Sequence, residues 1–153
     1  MPSTDRVMGF VRLMRPPNCL MMGFAVLVGA VVASGELPLD KALELAYGFI
    51  TAFTLLAASN ALNDYYDREI DAINEPGRPI PSGLIKPWEA LVFSALLTIL
   101  GLSLAFLTSP KCFLMAVLAV SIADTYVTVG KKTGLLGNAM VSSCVAIPFP
   151  VSY

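Results

Sequence analysis

Charge is distributed along this chain in a way that leaves five windows of nearly membrane-spanning length. Twenty residues separate Arg15 from Glu36, nineteen separate Glu44 from Asp64, and twenty-one separate Glu89 from Lys111, all without a charge. Residues 112–130 are interrupted only by Asp124, and residues 133–153 carry no charge. An α-helix needs about 20 residues to cross a hydrocarbon core of about 30 Å, and in lipid it satisfies its backbone hydrogen bonds internally. The windows therefore predict an all-α, polytopic transmembrane bundle with helices over about 17–34, 41–64, 88–108, 111–130 and 135–153.

A water-soluble bundle is excluded by the same pattern, because its helices would carry polar faces at helical spacing. Composition agrees: 56% of the residues are hydrophobic, 14% are charged, and mean hydropathy is +0.73. Soluble domains have about a quarter charged residues. The first window follows Arg6, Arg12 and Arg15 and has a loosely cleavable Val32-Ala33-Ser34-Gly35, yet the further windows favour a retained helix over a signal peptide. Cys19, Cys112 and Cys144 lie inside apolar stretches without metal-ligand spacing, which reads as small apolar packing residues. There is no internal repeat and no low-complexity tract. No nucleic-acid partner is expected; the lipid bilayer is.

Alternating the helices across a membrane places Arg6, Arg12, Arg15, Arg68, Arg78, Lys86, Lys131 and Lys132 on one side, and only Lys41 and Lys111 on the other. Lys and Arg collect on the cytoplasmic face, so the chain is expected to be an integral, multi-pass protein with a cytoplasmic N-terminus. The polar segment 65–87 and the acidic cluster Asn63-Asp64-Tyr65-Tyr66-Asp67-Arg68-Glu69-Ile70-Asp71 share that side.

Within the cluster, Asn63, Asp67 and Asp71 recur every four residues, so continuation of the second helix stacks them on one face. Like charges in such a column repel by a few tenths of a kcal/mol, roughly, per pair, which calls for something positive nearby. Mg²⁺ suits the place, because it takes oxygen ligands and is commonly held by one or two carboxylates plus substrate phosphates. It would neutralise a diphosphate leaving group. The plain alternative is a solvated helix end. The adjoining loop, Asn74 to Gly83, is stiffened by three prolines, and its Arg78 offers a planar fork for phosphate oxygens, or serves as an ordinary positive-inside residue. An EF-hand is excluded, since acidic or amide ligands at alternate positions and the central glycine are lacking. Lys131 and Lys132 return to the same side with Tyr126 shortly before them, either for phosphate or for topology alone. Asp124, inside an apolar window, has either a function or an internal partner such as Lys131, seven residues on.

The segment Asn63-Asp64-x-x-Asp67-x-x-x-Asp71, at the expected cytoplasmic end of the second helix, resembles the first aspartate-rich motif of the UbiA superfamily of intramembrane prenyltransferases. The continuation through Asn74, Arg78, Ser82 and Gly83 is similar to members that prenylate lipid or pigment acceptors. The resemblance implies a bundle of nine helices, open laterally to lipid, and Mg²⁺-dependent transfer from an isoprenyl diphosphate. Asn63, Asp67 and Asp71 would be the catalytic and metal residues; Arg78, Lys131, Tyr126 and Asp64 would bind the diphosphate. Gly130 and Lys132 stand where relatives often have leucine and arginine.

With Arg15-Pro16-Pro17-Asn18, the chain looks most like the archaeal branch that makes digeranylgeranylglyceryl phosphate. That implies a geranylgeranyl donor and a membrane-embedded acceptor such as geranylgeranylglyceryl phosphate; chlorophyll synthase-like or aromatic-acceptor transfer is the alternative. The resemblance covers about half of the family's length, and the second aspartate motif is not in these residues. The expectation is that the 153 residues alone are inactive or severely impaired without a C-terminal half. From other classes, an ion or proton transporter using Asp124 and the cluster as a relay, or a membrane subunit without chemistry, are the competing readings.

Overall fold

The computed structural model describes residues 3–36 and 38–128. Among them are five α-helices and no strand: α1 (Ser3–Met14), α2 (Pro16–Ser34), α3 (Ala42–Asn74), α4 (Pro87–Thr108) and α5 (Pro110–Thr128). A 3₁₀ turn, Leu39–Lys41, leads into α3. The helix expected over 135–153, and Lys131 with it, lie outside the described residues.

Helix boundaries follow from local chemistry. Pro16 and Pro17 open α2, where missing backbone N–H groups cost nothing. Gly35, at φ 79°, ends it by adopting the left-handed conformation and donating its N–H to the Val31 carbonyl at 2.9 Å. Pro87 opens α4, and the Glu89 carboxylate accepts the Lys86 N–H at 2.9 Å. Ser109 separates α4 from α5 and its hydroxyl accepts the Cys112 N–H at 3.1 Å, so a single residue both stops one helix and caps the next.

The helices α2, α3, α4 and α5 are each long and apolar enough to cross a membrane. No more than 22% of any of these spans is buried within the chain, so most of their apolar surface is left for lipid or further protein. The chain is an integral, multi-pass membrane protein.

Helix α3 is central and packs against α1, α2, α4 and α5. It meets α4 through small residues: Ala57, Ala58 and Ala61 on one side, Ala90, Ser94, Gly101 and Ala105 on the other. Small side chains let helix backbones approach, which is the main source of helix affinity where lipid is the solvent. A Cβ on Gly101 would lie 2.6 Å from a Leu55 methyl, and Ser94 donates to the Ala58 carbonyl at 2.9 Å.

Two departures from the sequence expectation concern the end of the bundle that carries the acidic cluster. Helix α3 does not stop near residue 64; it continues to Asn74, and the connecting loop is correspondingly shorter than 65–87, running over 75–86. Helix α1 was not expected. Its charges, Asp5, Arg6 and Arg12, hide an apolar edge in which Gly9, Phe10 and Leu13 fall at helical spacing. Leu13 is fully buried with Ala61, Ile80, Ile85 and Ala90, and Phe10 and Phe93 pack around them with ring centroids 5.0 Å apart. That cluster joins α1, α3, α4 and the loop, and so fixes the frame of the site.

Candidate functional site

As α3 leaves the apolar span, one side of it becomes polar over three turns. Asn60, Asn63, Asp64, Asp67 and Asp71 fall within about 100° of arc, because steps of four and seven residues nearly complete whole turns. Asp64 and Asp71 are buried. Asn63 donates to an Asp67 carboxylate oxygen at 3.0 Å.

Two arginines from elsewhere in the sequence neutralise the buried carboxylates. The Arg15 guanidinium contacts Asp64 at 2.5 Å. Arg78 reaches Asp71 at 2.8 Å and Asp64 at 3.4 Å through Nη1, while its Nε and Nη2 bind the Glu75 carboxylate at 2.9 and 3.2 Å. Of the carboxylate column, Asp71 thus meets positive charge within the protein itself, as does Asp64 beside it. The fork of Arg78, expected for phosphate, is engaged by three carboxylates here.

The loop supplies the geometry that lets Arg78 do this. Glu75 closes α3 by donating its N–H to Asp71 at 2.8 Å, Pro76 and Gly77 turn the chain, and Arg78 donates its N–H back to Glu75 at 3.0 Å. Hydrogen bonding to Arg78, and then its charge, hold the Glu75 carboxyl below its ordinary value. Reciprocally, the Glu75 hydrogen bond, with the charges of Asp64, Asp71 and Glu75, pushes Arg78 further up against a smaller effect of burial.

A cleft of about 500 Å³ opens between these groups, lined by Arg12, Arg15, Asp64, Glu75, Gly77, Arg78 and Pro79. Arg15 enters it from an unusual backbone: φ 54° and ψ 64°, the only positive φ at a non-glycine residue among those described. The left-handed region costs an L-residue about 1–2 kcal/mol, and the proline that follows disfavours it further. Such a conformation persists only where its surroundings impose it.

Oxygen donors alone line the acidic face, which fits a hard divalent cation. The fit is partial. Asn63 and Asp71 are about 12 Å apart along the helix axis, whereas Mg²⁺ holds its ligands at about 2.1 Å, so a single ion cannot take all three predicted residues. Among the described residues, no three Asp, Glu, Cys or His side chains converge into a metal-holding group. An ion here would draw ligands from Asn63 and Asp67, or from Asp71, and complete its shell with water or phosphate.

Of the other expected residues, Tyr126 lies half-buried near the end of α5, outside the set lining the cleft. Lys131 lies outside the described residues. Asp124 is exposed on α5 and has no ion-pair partner among the described residues. Arg12, Arg15 and Asn60 were not singled out from the sequence as site residues. For Asn60 a signal existed, since it precedes Asp64, Asp67 and Asp71 by four, seven and eleven residues. Arg15 stood in the Arg15-Pro16-Pro17-Asn18 segment, but its pairing with Asp64 was not legible, because the two are far apart in the chain.

The sequence model of the UbiA prenyltransferase family matches residues 22–153. The digeranylgeranylglyceryl phosphate synthase of Methanosarcina barkeri is 39% identical over 145 residues, covering 86% of this chain and 49% of the synthase. That of Methanospirillum hungatei is 38% identical, covering 92% of this chain and 49% of its own length. A structure solved in work on digeranylgeranylglyceryl phosphate synthase in membranes superposes with a TM-score of 0.91 at 32% identity, over 97% of this chain and 52% of that one. The chain thus spans about half the length of the curated relatives it matches. With the family model covering most of its length, the chain belongs to the UbiA prenyltransferase family.

Proposed function

We propose that this chain forms the donor side of a prenyltransferase site, which takes an isoprenyl diphosphate, with Mg²⁺, and passes its prenyl group to a glycerophosphate lipid. The observation that carries the reading is the cleft lined by Arg12, Arg15 and Arg78 together with Asp64, on the polar face of α3 that also carries Asn63, Asp67 and Asp71 outside the lining. Arginine forks match phosphate oxygens, and the apolar helices below offer a hydrocarbon environment for an isoprenoid tail. Relatives named as digeranylgeranylglyceryl phosphate synthases support a geranylgeranyl donor and a geranylgeranylglyceryl phosphate acceptor. The eight-to-two distribution of Lys and Arg supports a cytoplasmic site.

Donor binding exchanges partners. The guanidinium groups of Arg15 and Arg78, held by Asp64, Asp71 and Glu75 in the free protein, turn toward phosphate oxygens, which releases Asp64 and Asp71. Asp71, and Asp67 with Asn63, would be the residues to hold the cation. A bound divalent cation supplies Lewis-acid neutralisation of the departing diphosphate. Asn63 orients Asp67 through the bond between them. The arginines, aimed at the diphosphate, stabilise charge where it grows as the allylic carbon–oxygen bond breaks. The acceptor hydroxyl then forms the new carbon–oxygen bond to the allylic carbon, and its proton passes to the released diphosphate.

Equilibrium binding of geranylgeranyl diphosphate to the detergent-purified protein, with and without Mg²⁺ and alongside Asp67→Ala, tests the reading. Binding that strengthens with Mg²⁺ and weakens in Asp67→Ala is expected. Binding indifferent to both would refute it.

A further inference from the structure

The elbow between α1 and α2 consists of Met14, the left-handed Arg15 and Pro16, and most of the bonds that hold it are internal to it. Arg15 N–H donates to Arg12 at 3.2 Å, the Arg15 carbonyl accepts from Asn18 and Cys19 at 3.0 and 3.3 Å, and the Cys19 thiol donates to the Met14 carbonyl at 3.0 Å. All of these groups belong to α1, α2 or the elbow, so they shape it without saying where it sits on the rest of the molecule. One backbone anchor comes from outside. Asn60 Nδ2 donates to the Met14 carbonyl at 2.8 Å and lies 3.8 Å from the Cys19 sulfur.

We infer that Asn60 is a positioning residue, which holds the Met14 carbonyl so that left-handed Arg15 keeps its guanidinium on Asp64.

Asn60 and Asp64 are one turn apart on the same face of α3. They grasp the elbow at two points, the peptide before Arg15 and the tip of its side chain, and both points belong to one rigid helix. The geometry explains how an unfavourable backbone conformation ahead of a proline is retained. A relaxed, extended Arg15 would swing the Met14 carbonyl away from Asn60 and redirect α1, whose Leu13 is fully buried beside the elbow. Asn60 is itself half-buried at the depth where α3 is still flanked by buried Ala57, Ala58 and Ala61, and the Met14 carbonyl gives its amide a partner there. The inference concerns how the cleft is held together and stands whichever anion the cleft takes.

Double-mutant cycles on the whole chain in detergent test it. Arg15→Ala and Asp64→Asn are made singly and together, with Asn60 intact and again in an Asn60→Ser background, and the thermal midpoint of each protein is read. With Asn60 intact, the double substitution should lower the midpoint by less than the sum of the single shifts. In the Asn60→Ser background the two shifts should add. The same non-additivity in both backgrounds overturns the inference, because Asn60 then packs without steering Arg15. Additivity with Asn60 intact overturns it as well. So does an Asn60→Ser protein that fails to fold where Arg15→Ala folds, since a residue acting through Arg15 cannot matter more than Arg15 itself.

Discussion

Arg15 and Asp64 stand forty-nine positions apart in sequence and 2.5 Å apart in space, one at a strained elbow and the other on the polar face of the central helix. Asp64 is nearly inaccessible, and its second cation, Arg78, is farther away at 3.4 Å. Arg15→Ala should therefore destabilise the chain by about 1.5–3 kcal/mol, the range for a hydrogen bond to a charged group. Chemical denaturation in mixed micelles checks it, and Arg15→Lys should recover only part of the loss, because one ammonium replaces a planar fork.

Arg78 ties the loop to α3 by contacts that a lysine cannot make together. Arg78→Lys should keep either the Asp71 or the Glu75 interaction and release the other. Losing about 1 kcal/mol of hydrogen bonding corresponds to roughly a fivefold rise in loop opening. Limited proteolysis within residues 75–86 should accelerate accordingly, while cleavage elsewhere should not.

Glu75 gives a pH signature with a definite sign. Its folded value lies below the ordinary 4.5 because Arg78 binds the charged form. Its contribution is thus complete above the ordinary value and is lost as pH falls through the lower, folded one. Carboxyl ¹³C titration should place the Glu75 midpoint below 4.5 in the native chain and return it toward 4.5 in Arg78→Ala.

The α3–α4 contact should tolerate little added volume. A Cβ at position 101 would meet Leu55 Cδ2 at 2.6 Å and the Thr54 hydroxyl at 2.8 Å. Gly101→Val should cost about 1–3 kcal/mol through forced separation of the helices. Unfolding by a graded denaturing detergent measures it; a stability equal to the native chain would mean that the two helices adjust freely.

What could be read from the sequence was what depends on near neighbours. The transmembrane windows are local, and so is the four-residue spacing of Asn63, Asp67 and Asp71, which needs only a continuing helix to become a face. Arg78 is close enough to α3 along the chain to be suspected. By contrast, the role of Asp64 as the buried meeting point of two arginines depends on the α1–α2 elbow, which no local pattern places. Helix α1 escaped notice because its charges interrupt the apolar pattern, although its buried edge is only a glycine, a phenylalanine and a leucine wide. The column of Asn63, Asp67 and Asp71 called for positive charge nearby; the structure brings Arg78 to Asp71, and both Arg15 and Arg78 to neighbouring Asp64. That arginines from both sides supply it is a tertiary fact.

The central claim is that the polar face of α3 and the arginine cleft hold one diphosphate between them. Mn²⁺, a paramagnetic stand-in for Mg²⁺, added to the purified chain with geranylgeranyl diphosphate, tests it through the ³¹P resonances of the bound donor. Those resonances should broaden strongly in the native chain, and the broadening should disappear in Asp67→Ala with binding weakened in Arg78→Ala. Donor that binds without broadening, or broadening that persists in Asp67→Ala, would contradict the account.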